Sequence, residues 1–365
     1  MILYCTECQQ TYPLDTRRWR CQCGGLFELK DGLGFVRDKI QRREPSLWRY
    51  QAMLPLERDK PIVSLGEGFT PLIEADVYGL KIHCKVEFLS PTGSFKDRGT
   101  AVLISVLNSL GVKAVTDDSS GNAGASLAAY AARAGMTCEI YVPARASWPK
   151  RAQIAIYGAG IIEVEGSRQE VARAAQEAVT RGLYYASHYY NPFTLQGLKT
   201  IAYEVWEQLG GRGPDNLILP VGQGTLLLGA YYGFRELLEA GLIDRLPRLF
   251  AVQALGCAPI YEAYRQSADK VNPVEAGETR AEGIRTSHPV RGRQILAAIR
   301  QTEGAVLAVD DGRIEQAHRE LAQQGFYVEF TSAAPVAALE ALRHTITADQ
   351  VTVMPLTGSG FKDPW

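Results

Sequence analysis

The chain has 365 residues, 46% hydrophobic and 22% charged, the composition of an ordinary globular protein long enough for two lobes and a sizeable core. Lys plus Arg number 39 and Asp plus Glu 40, so the formal net charge of −1 gives no global case for nucleic acid or an anionic membrane surface. No apolar run approaches the roughly 20 residues of a membrane span. The opening Met1-Ile2-Leu3-Tyr4-Cys5 lacks the basic flank and apolar core of a secretory signal, so no membrane partner and a cytoplasmic location are expected.

Seven cysteines, an odd number unevenly spread, do not read as a disulfide framework. Cys5, Cys8, Cys21 and Cys23 form C-x2-C-x12-C-x-C, two thiolate knuckles suited to tetrahedral zinc. A structural zinc is therefore expected in a small unit covering residues 1–33; a metal-free ribbon is the alternative. Arg17, Arg18 and Arg20 would allow this unit to bind nucleic acid, but the aromatic residues such modules stack on are sparse, and no nucleic-acid partner is expected. Cys84, Cys138 and Cys257 are isolated and read as small buried hydrophobes. Residues 35–56, rich in Arg and Trp, read as an arm or helix packed on the main body.

From Lys81 onward strand-like and helix-like segments alternate. Strands are predicted at 82–86, 114–117, 138–142, 161–164, 183–186, 217–221, 249–254, 306–309 and 351–356, short and apolar on both faces. Helical patterns such as 168–180 and 194–209 lie between them. This alternation implies an α/β fold with mainly parallel sheets, whose ligands bind at loops beyond the strand C-termini.

Four such loops carry candidate chemistry. Residues 90–99, S-P-T-G-S-F-K-D-R-G, put Lys96 at a helix N-terminus, where the positive end of the dipole favours the neutral amine that Schiff-base chemistry needs. Residues 118–126 place Ser119, Ser120, Gly121, Asn122 and Ala123 at the start of a helix, an arrangement suited to a carboxylate or phosphate. Gly222, Gln223, Gly224, Thr225 and Leu226 let the backbone approach a phosphate closely. Leu227 stands at the third glycine position of a dinucleotide fingerprint, and no Gly-Lys-Ser/Thr follows. Residues 356–363 put Thr357 among glycines after the last strand. An anchoring lysine, a carboxylate cradle, a phosphate cradle and a hydroxyl for a ring nitrogen are together the attachments that pyridoxal 5′-phosphate (PLP) and an amino-acid substrate require.

The motifs S-P-T-G-S-F-K-D-R-G, S-S-G-N-A-G-A-S, P-V-G-Q-G-T and L-T-G-S-G-F-K-D resemble the two-lobed fold-type II PLP enzymes, the tryptophan synthase β-like class. G-E-G-F-T-P-L at 66–72, W-R-Y at 48–50 and the N-terminal zinc-ribbon-like segment are similar to the threonine synthase family. The resemblance implies a large PLP-binding lobe of 34–100 and 188–365, a small lobe of 101–187 that closes on substrate, and a homodimer. It implies that Lys96 bonds the cofactor covalently and moves protons, and that Phe95 packs on its ring. Asn122 would bond the ring hydroxyl, residues 222–226 the cofactor phosphate, and Thr357 the pyridine nitrogen. Ser119, Ser120, Gly121, Asn122 and Ala123 would receive the substrate, O-phosphohomoserine in this family, which loses phosphate and gains water to give threonine. Serine or threonine ammonia-lyases and other PLP-dependent replacement enzymes share the Ser-Phe-Lys motif, and a PLP-fold binding protein without turnover is the non-enzyme alternative.

The chain departs from the family pattern in three places: Gln223-Gly224-Thr225 stands where the family often has Asn-Ala-Gly, Phe330-Thr331 stands where Pro-Ala is usual, and the third is the segment that begins at Asn191. Where the family has N-P-x-R-L-E-G-Q-K-T, this chain has Thr194 in place of the arginine that binds substrate phosphate and Gln196 in place of the glutamate. Either Lys150, Arg151 or Lys199 takes over from the arginine, or the natural substrate carries a different leaving group.

Overall fold

The computed structural model describes residues 1–30, 32–144 and 148–362, the side chains of 148–150 excepted, so Asp363 of the L-T-G-S-G-F-K-D motif lies outside the described residues. The chain divides into two compact units, Met1–Gly68 with Lys96–Leu198, and Phe69–Phe95 with Lys199–Trp365.

The first unit holds two sheets. A small antiparallel one has the order Thr11–Tyr12, Ile2–Cys5, Phe27–Lys30. A parallel one has the order Gly160–Val164, Thr137–Pro143, Ala114–Asp117, Tyr184–Tyr185. Helix Lys96–Ser109 is buried without interruption from Asp97 to Leu107, so it serves as the centre of the unit rather than as an amphipathic cover. Its Val102 and Leu103 share one core with Leu3, Cys5, Cys21 and Phe27, and with Trp48, Leu54 and Phe193. That shared core is why residues 34–68, 96–100 and 188–198, expected with the larger lobe, fall in this unit.

Glu67 of the G-E-G-F-T-P-L motif is buried, and its carboxylate accepts from Trp48 Nε1 at 2.7 Å, the Tyr130 hydroxyl at 2.7 Å and the Leu65 N–H at 2.8 Å. A buried carboxylate persists only with such partners. Helices Lys96–Ser109 and Pro192–Leu198 touch backbone to backbone: a Cβ on Gly197 would lie 2.1 Å from the Arg98 carbonyl oxygen, and one on Gly99 2.6 Å from Thr194 Cγ2.

The second unit is a six-stranded sheet in the order Ala305–Val309, Arg248–Ala254, Asn216–Pro220, Thr352–Pro355, Leu80–Lys85, Leu72–Val77. The first five are parallel, and Leu72–Val77 adds an antiparallel edge through a hairpin at Tyr78 and Gly79, whose φ values are 54° and 75°. Helices Thr200–Gln208, Thr225–Glu239, Pro259–Arg265, Gly292–Gln301, Asp311–Gln323 and Phe330–Leu342 accompany it. The pattern read as one helix over 194–209 is two, Pro192–Leu198 and Thr200–Gln208. They are parted at Lys199, whose buried ammonium meets Glu236 at 2.8 Å.

Within this unit Lys85 and Glu204 form an ion pair at 2.7 Å with both side chains fully buried. Lys85 Nζ also donates to the Thr70 carbonyl at 2.6 Å, and the other Glu204 oxygen accepts the Phe69 N–H at 2.7 Å. Phe69 has φ 46°, a conformation costly for a bulky residue that this carboxylate holds in place.

Candidate active site

In the first unit Lys96 is half-buried at the first position of its helix. Asp97 beside it is buried and accepts from Ser126 Oγ at 2.7 Å, which ties this helix to the one starting at Asn122. The strand Ala114–Asp117 runs out into Asp118, then into half-exposed Ser119, Ser120, Gly121 and Asn122. Helix Asn122–Arg133 has Gly121 at its N-cap and no side chain capping it, the form of an anion site at a helix N-terminus. A Cβ on Gly124 would lie 1.9 Å from the Ser119 carbonyl oxygen, so only glycine lets the loop fold over that turn.

Behind this loop is a polar cluster that the sequence reading missed. Asp118 is buried and accepts from the Tyr185 hydroxyl at 2.7 Å and the Tyr189 hydroxyl at 3.2 Å, and Arg168 Nη1 meets it at 2.6 Å. Asp117 Oδ2 lies 3.9 Å from His188 Nδ1. Burial pushes both aspartic acids above the usual carboxylate range and pushes His188 well below the usual imidazole range. Strand register would have revealed the cluster: Val115 pairs with Tyr184 and Thr116 with Tyr185, so residues 117–118 and 187–188 leave one sheet edge side by side.

Thr194 is 2% exposed, and its hydroxyl has no hydrogen-bond partner. Of the cations considered as substitutes for the missing arginine, Lys199 is committed to Glu236 and Arg151 pairs with Glu163 at 2.5 Å. The Lys150 side chain lies outside the described residues.

In the second unit, strands Asn216–Pro220 and Thr352–Pro355 are parallel neighbours, so the 222–226 loop and Thr357 follow the same edge of one sheet. Gly224, with φ 73°, caps helix Thr225–Glu239, again with no side-chain cap. A Cβ on Gly222 would stand 2.9 Å from Thr286 Oγ1 and 3.1 Å from the Gly283 carbonyl oxygen. An uncapped helix N-terminus with bare backbone in front of it has the form of a phosphate cradle, and these residues fit the cofactor's phosphate. The Phe95 N–H donates to the Thr357 carbonyl at 3.0 Å, and Ser94 and Gly358 form an antiparallel bridge. Phe95 and Thr357 are thus brought together. Ser332 was not anticipated as a partner of Thr357, yet their hydroxyl oxygens are 2.9 Å apart.

The four N-terminal cysteines converge. Cys5 and Cys23 sulfurs are 3.5 Å apart, Cys8 and Cys21 also 3.5 Å, and all four lie within 4.8 Å of one another. A tetrahedron of Zn–S bonds near 2.3 Å has sulfurs about 3.8 Å apart, whereas a disulfide holds them at about 2 Å. The donor set therefore fits zinc.

The model of the family described as "Pyridoxal-phosphate dependent enzyme" matches residues 63–358, which defines the class of protein. The chain is 38% identical to a threonine synthase of Methanocaldococcus jannaschii over 100% of this chain and 93% of that protein. It is 35% identical to one of Methanosarcina acetivorans over 99% and 92%. Among solved structures, a maize serine racemase shares the fold with a TM-score of 0.70 at 22% identity, over 80% of this chain and 88% of that one. The chain belongs to the threonine synthase family of PLP-dependent lyases.

No described helix is long and apolar enough to cross a membrane.

Proposed function

We propose that the protein makes threonine from O-phosphohomoserine and water, releasing phosphate, with PLP held by Lys96. The observation that carries this reading is similarity to two threonine synthases along essentially the whole chain. The cofactor, when bound, supplies an electron sink that acidifies the substrate's Cα–H.

The rest falls to the chain's own residues. Lys96, at the start of its helix, takes and returns the substrate's protons. Ser119, Ser120, Gly121, Asn122 and Ala123 hold the substrate carboxylate at an uncapped helix N-terminus, and the Asn122 amide serves the ring hydroxyl. Gly222, Gln223, Gly224, Thr225 and Leu226 hold the cofactor phosphate, Phe95 packs on the ring, and Thr357 offers a hydroxyl to the pyridine nitrogen. A hydroxyl is a poor proton source beside a carboxylic acid, so Thr357 would leave the ring of a bound cofactor a weaker electron sink, suited to elimination and replacement rather than transamination. The unpartnered, buried hydroxyl of Thr194 is assigned to substrate.

The test is phosphate release and threonine formation from O-phosphohomoserine, measured beside O-acetyl- and O-succinylhomoserine. An inert O-phosphohomoserine would overturn the substrate and leave the lyase class. Lys96→Ala should lose the yellow colour of covalently held cofactor, and turnover should fall by at least about a thousandfold.

Zinc on Cys5, Cys8, Cys21 and Cys23 completes the reading, supported by the sulfur spacing. Metal analysis should find about one zinc per chain, and four freely titratable thiols in metal-free protein would remove it. A homodimer in the cytoplasm is proposed as well. Exposed Leu89, Leu255 and Phe361 support association, and sedimentation velocity tests it.

A further inference from the structure

The first unit concentrates unsatisfied polar atoms at one sheet edge. Thr116 Oγ1, Asp117 Oδ1, Ser187 Oγ and His188 Nδ1 are buried and have no hydrogen-bond partner. Thr116, Asp117 and Ser187 are each no more than 1% exposed. An unpaired buried polar atom costs roughly 1–3 kcal/mol, so Asp117 and His188, whose side chains approach to 3.9 Å with Asp117 Oδ1 and His188 Nδ1 both unpartnered, mark a place where a further group can bind. They sit at the C-terminal ends of strands Ala114–Asp117 and Tyr184–Tyr185, the edge from which the carboxylate loop at Ser119 also departs. Lys96 is close enough for its charge to act on both Asp117 and His188.

We propose that His188, backed by Asp117, is the catalytic group that receives the substrate's phosphate and hands it a proton as it departs, the part played in the relatives' pattern by the arginine that Thr194 replaces. The inference rests on the reading that the substrate carries a phosphate. Among the cations near the loops, Arg168 is held by Asp118, Arg151 by Glu163 and Lys199 by Glu236, whereas His188 can acquire charge when an anion arrives.

The groups facing His188 set its response. Lys96 and Arg168 oppose its protonation, Asp117 and Asp118 favour it, and the Tyr189 ring packs edge-on at 5.0 Å. Burial keeps the imidazole neutral without ligand. A phosphate dianion beside it favours the charged form, so binding draws in a proton from solvent. When the bond between carbon and phosphate oxygen breaks, its electron pair leaves with the oxygen. The proton on His188 passes to the phosphate, and the imidazole returns to its neutral state.

The experiment is calorimetric titration of the PLP-loaded enzyme with inorganic phosphate, in buffers of different ionisation enthalpy near neutral pH. With PLP bound, the cofactor's own phosphate cradle is filled. Wild type should take up about one proton per phosphate bound. In His188→Asn the uptake should vanish and affinity should fall about tenfold, with the visible spectrum of bound PLP unchanged. Asp117→Asn should reduce the uptake. Wild type that binds no phosphate, or binds it without proton uptake, overturns the proposal without recourse to any variant. Turnover of O-phosphohomoserine with no proton uptake sinks this inference alone, whereas uptake with no turnover sinks the substrate reading instead.

Discussion

Thr357 Oγ1 and Ser332 Oγ face each other at 2.9 Å in the interior of the second unit, and the Gly358 N–H donates to the same serine oxygen, also at 2.9 Å. The serine therefore holds the turn that presents Thr357.

Thr357→Val keeps the shape of the side chain and removes the hydroxyl. Ser332 retains Gly358, so stability should fall by only about 0.5–1.5 kcal/mol in urea unfolding. Under the ring-nitrogen reading, PLP should still bind but with a shifted absorption maximum, and turnover should drop at least about tenfold. A spectrum and rate equal to wild type would remove Thr357 from the cofactor's contacts.

Thr194→Arg is the obvious attempt to restore the family's phosphate ligand, and it should fail structurally. Thr194 is 2% exposed and lies against Gly99, where even a Cβ would come within 2.6 Å of its methyl group. The larger side chain should cost about 1–3 kcal/mol or more through overpacking. Thr194→Val is the cleaner probe, nearly isosteric and without the hydroxyl. Thermal unfolding should separate the two, and kcat/KM for Thr194→Val should report whether the hydroxyl meets substrate.

Glu204→Gln leaves the Lys85 ammonium buried with carbonyl partners and no counter-charge. It should destabilise by about 3–5 kcal/mol, whereas Lys85→Met with Glu204→Leu should recover much of the loss. Both are read from denaturant midpoints. Because Glu204 also holds the Phe69 N–H, the double variant should not recover fully.

The pH dependence of stability carries a signature of His188. Burial depresses its pKa from the ordinary 6.5, so below that pH the unfolded chain binds a proton that the folded chain refuses. Stability is then lost as pH falls from about 6.5 toward the folded pKa. Asp117 and Asp118, raised above 3.8, act in the opposite sense, their cost to the fold appearing as pH rises above that value. His188→Asn removes only the first effect. Its unfolding midpoint should fall less than that of wild type between pH 7 and 5, and parallel curves would count against a buried neutral histidine.

All nine strands predicted from apolar runs are present, with ends displaced by at most two residues. Strands covered on both faces announce themselves by composition, as Asn216–Pro220 does with every residue buried. Edge strand Leu72–Val77 was not legible: Leu72, Ile73, Glu74 and Asp76 are not buried, and its turn uses Tyr78 at positive φ where the usual signal is Asn-Gly. The candidate loops were legible because glycine and serine clusters at strand ends have few other uses. Asp117, Asp118 and His188 were not, since a short sequence window cannot reveal that residues about 70 positions apart leave neighbouring strands.

The central sheet of the second unit imposes an order on folding. Strand Leu80–Lys85 pairs on one side with the adjacent hairpin strand and on the other with Thr352–Pro355, joining Ile82 to Thr352 across 270 positions. During synthesis, at about 5–20 residues per second, that second edge stays open for tens of seconds while most of the chain is made. It is a row of unpaired donors and acceptors open to wrong partners. Such distant parallel pairing is intrinsically slow to close. In refolding from denaturant, recovery of PLP binding should therefore lag the early helical signal.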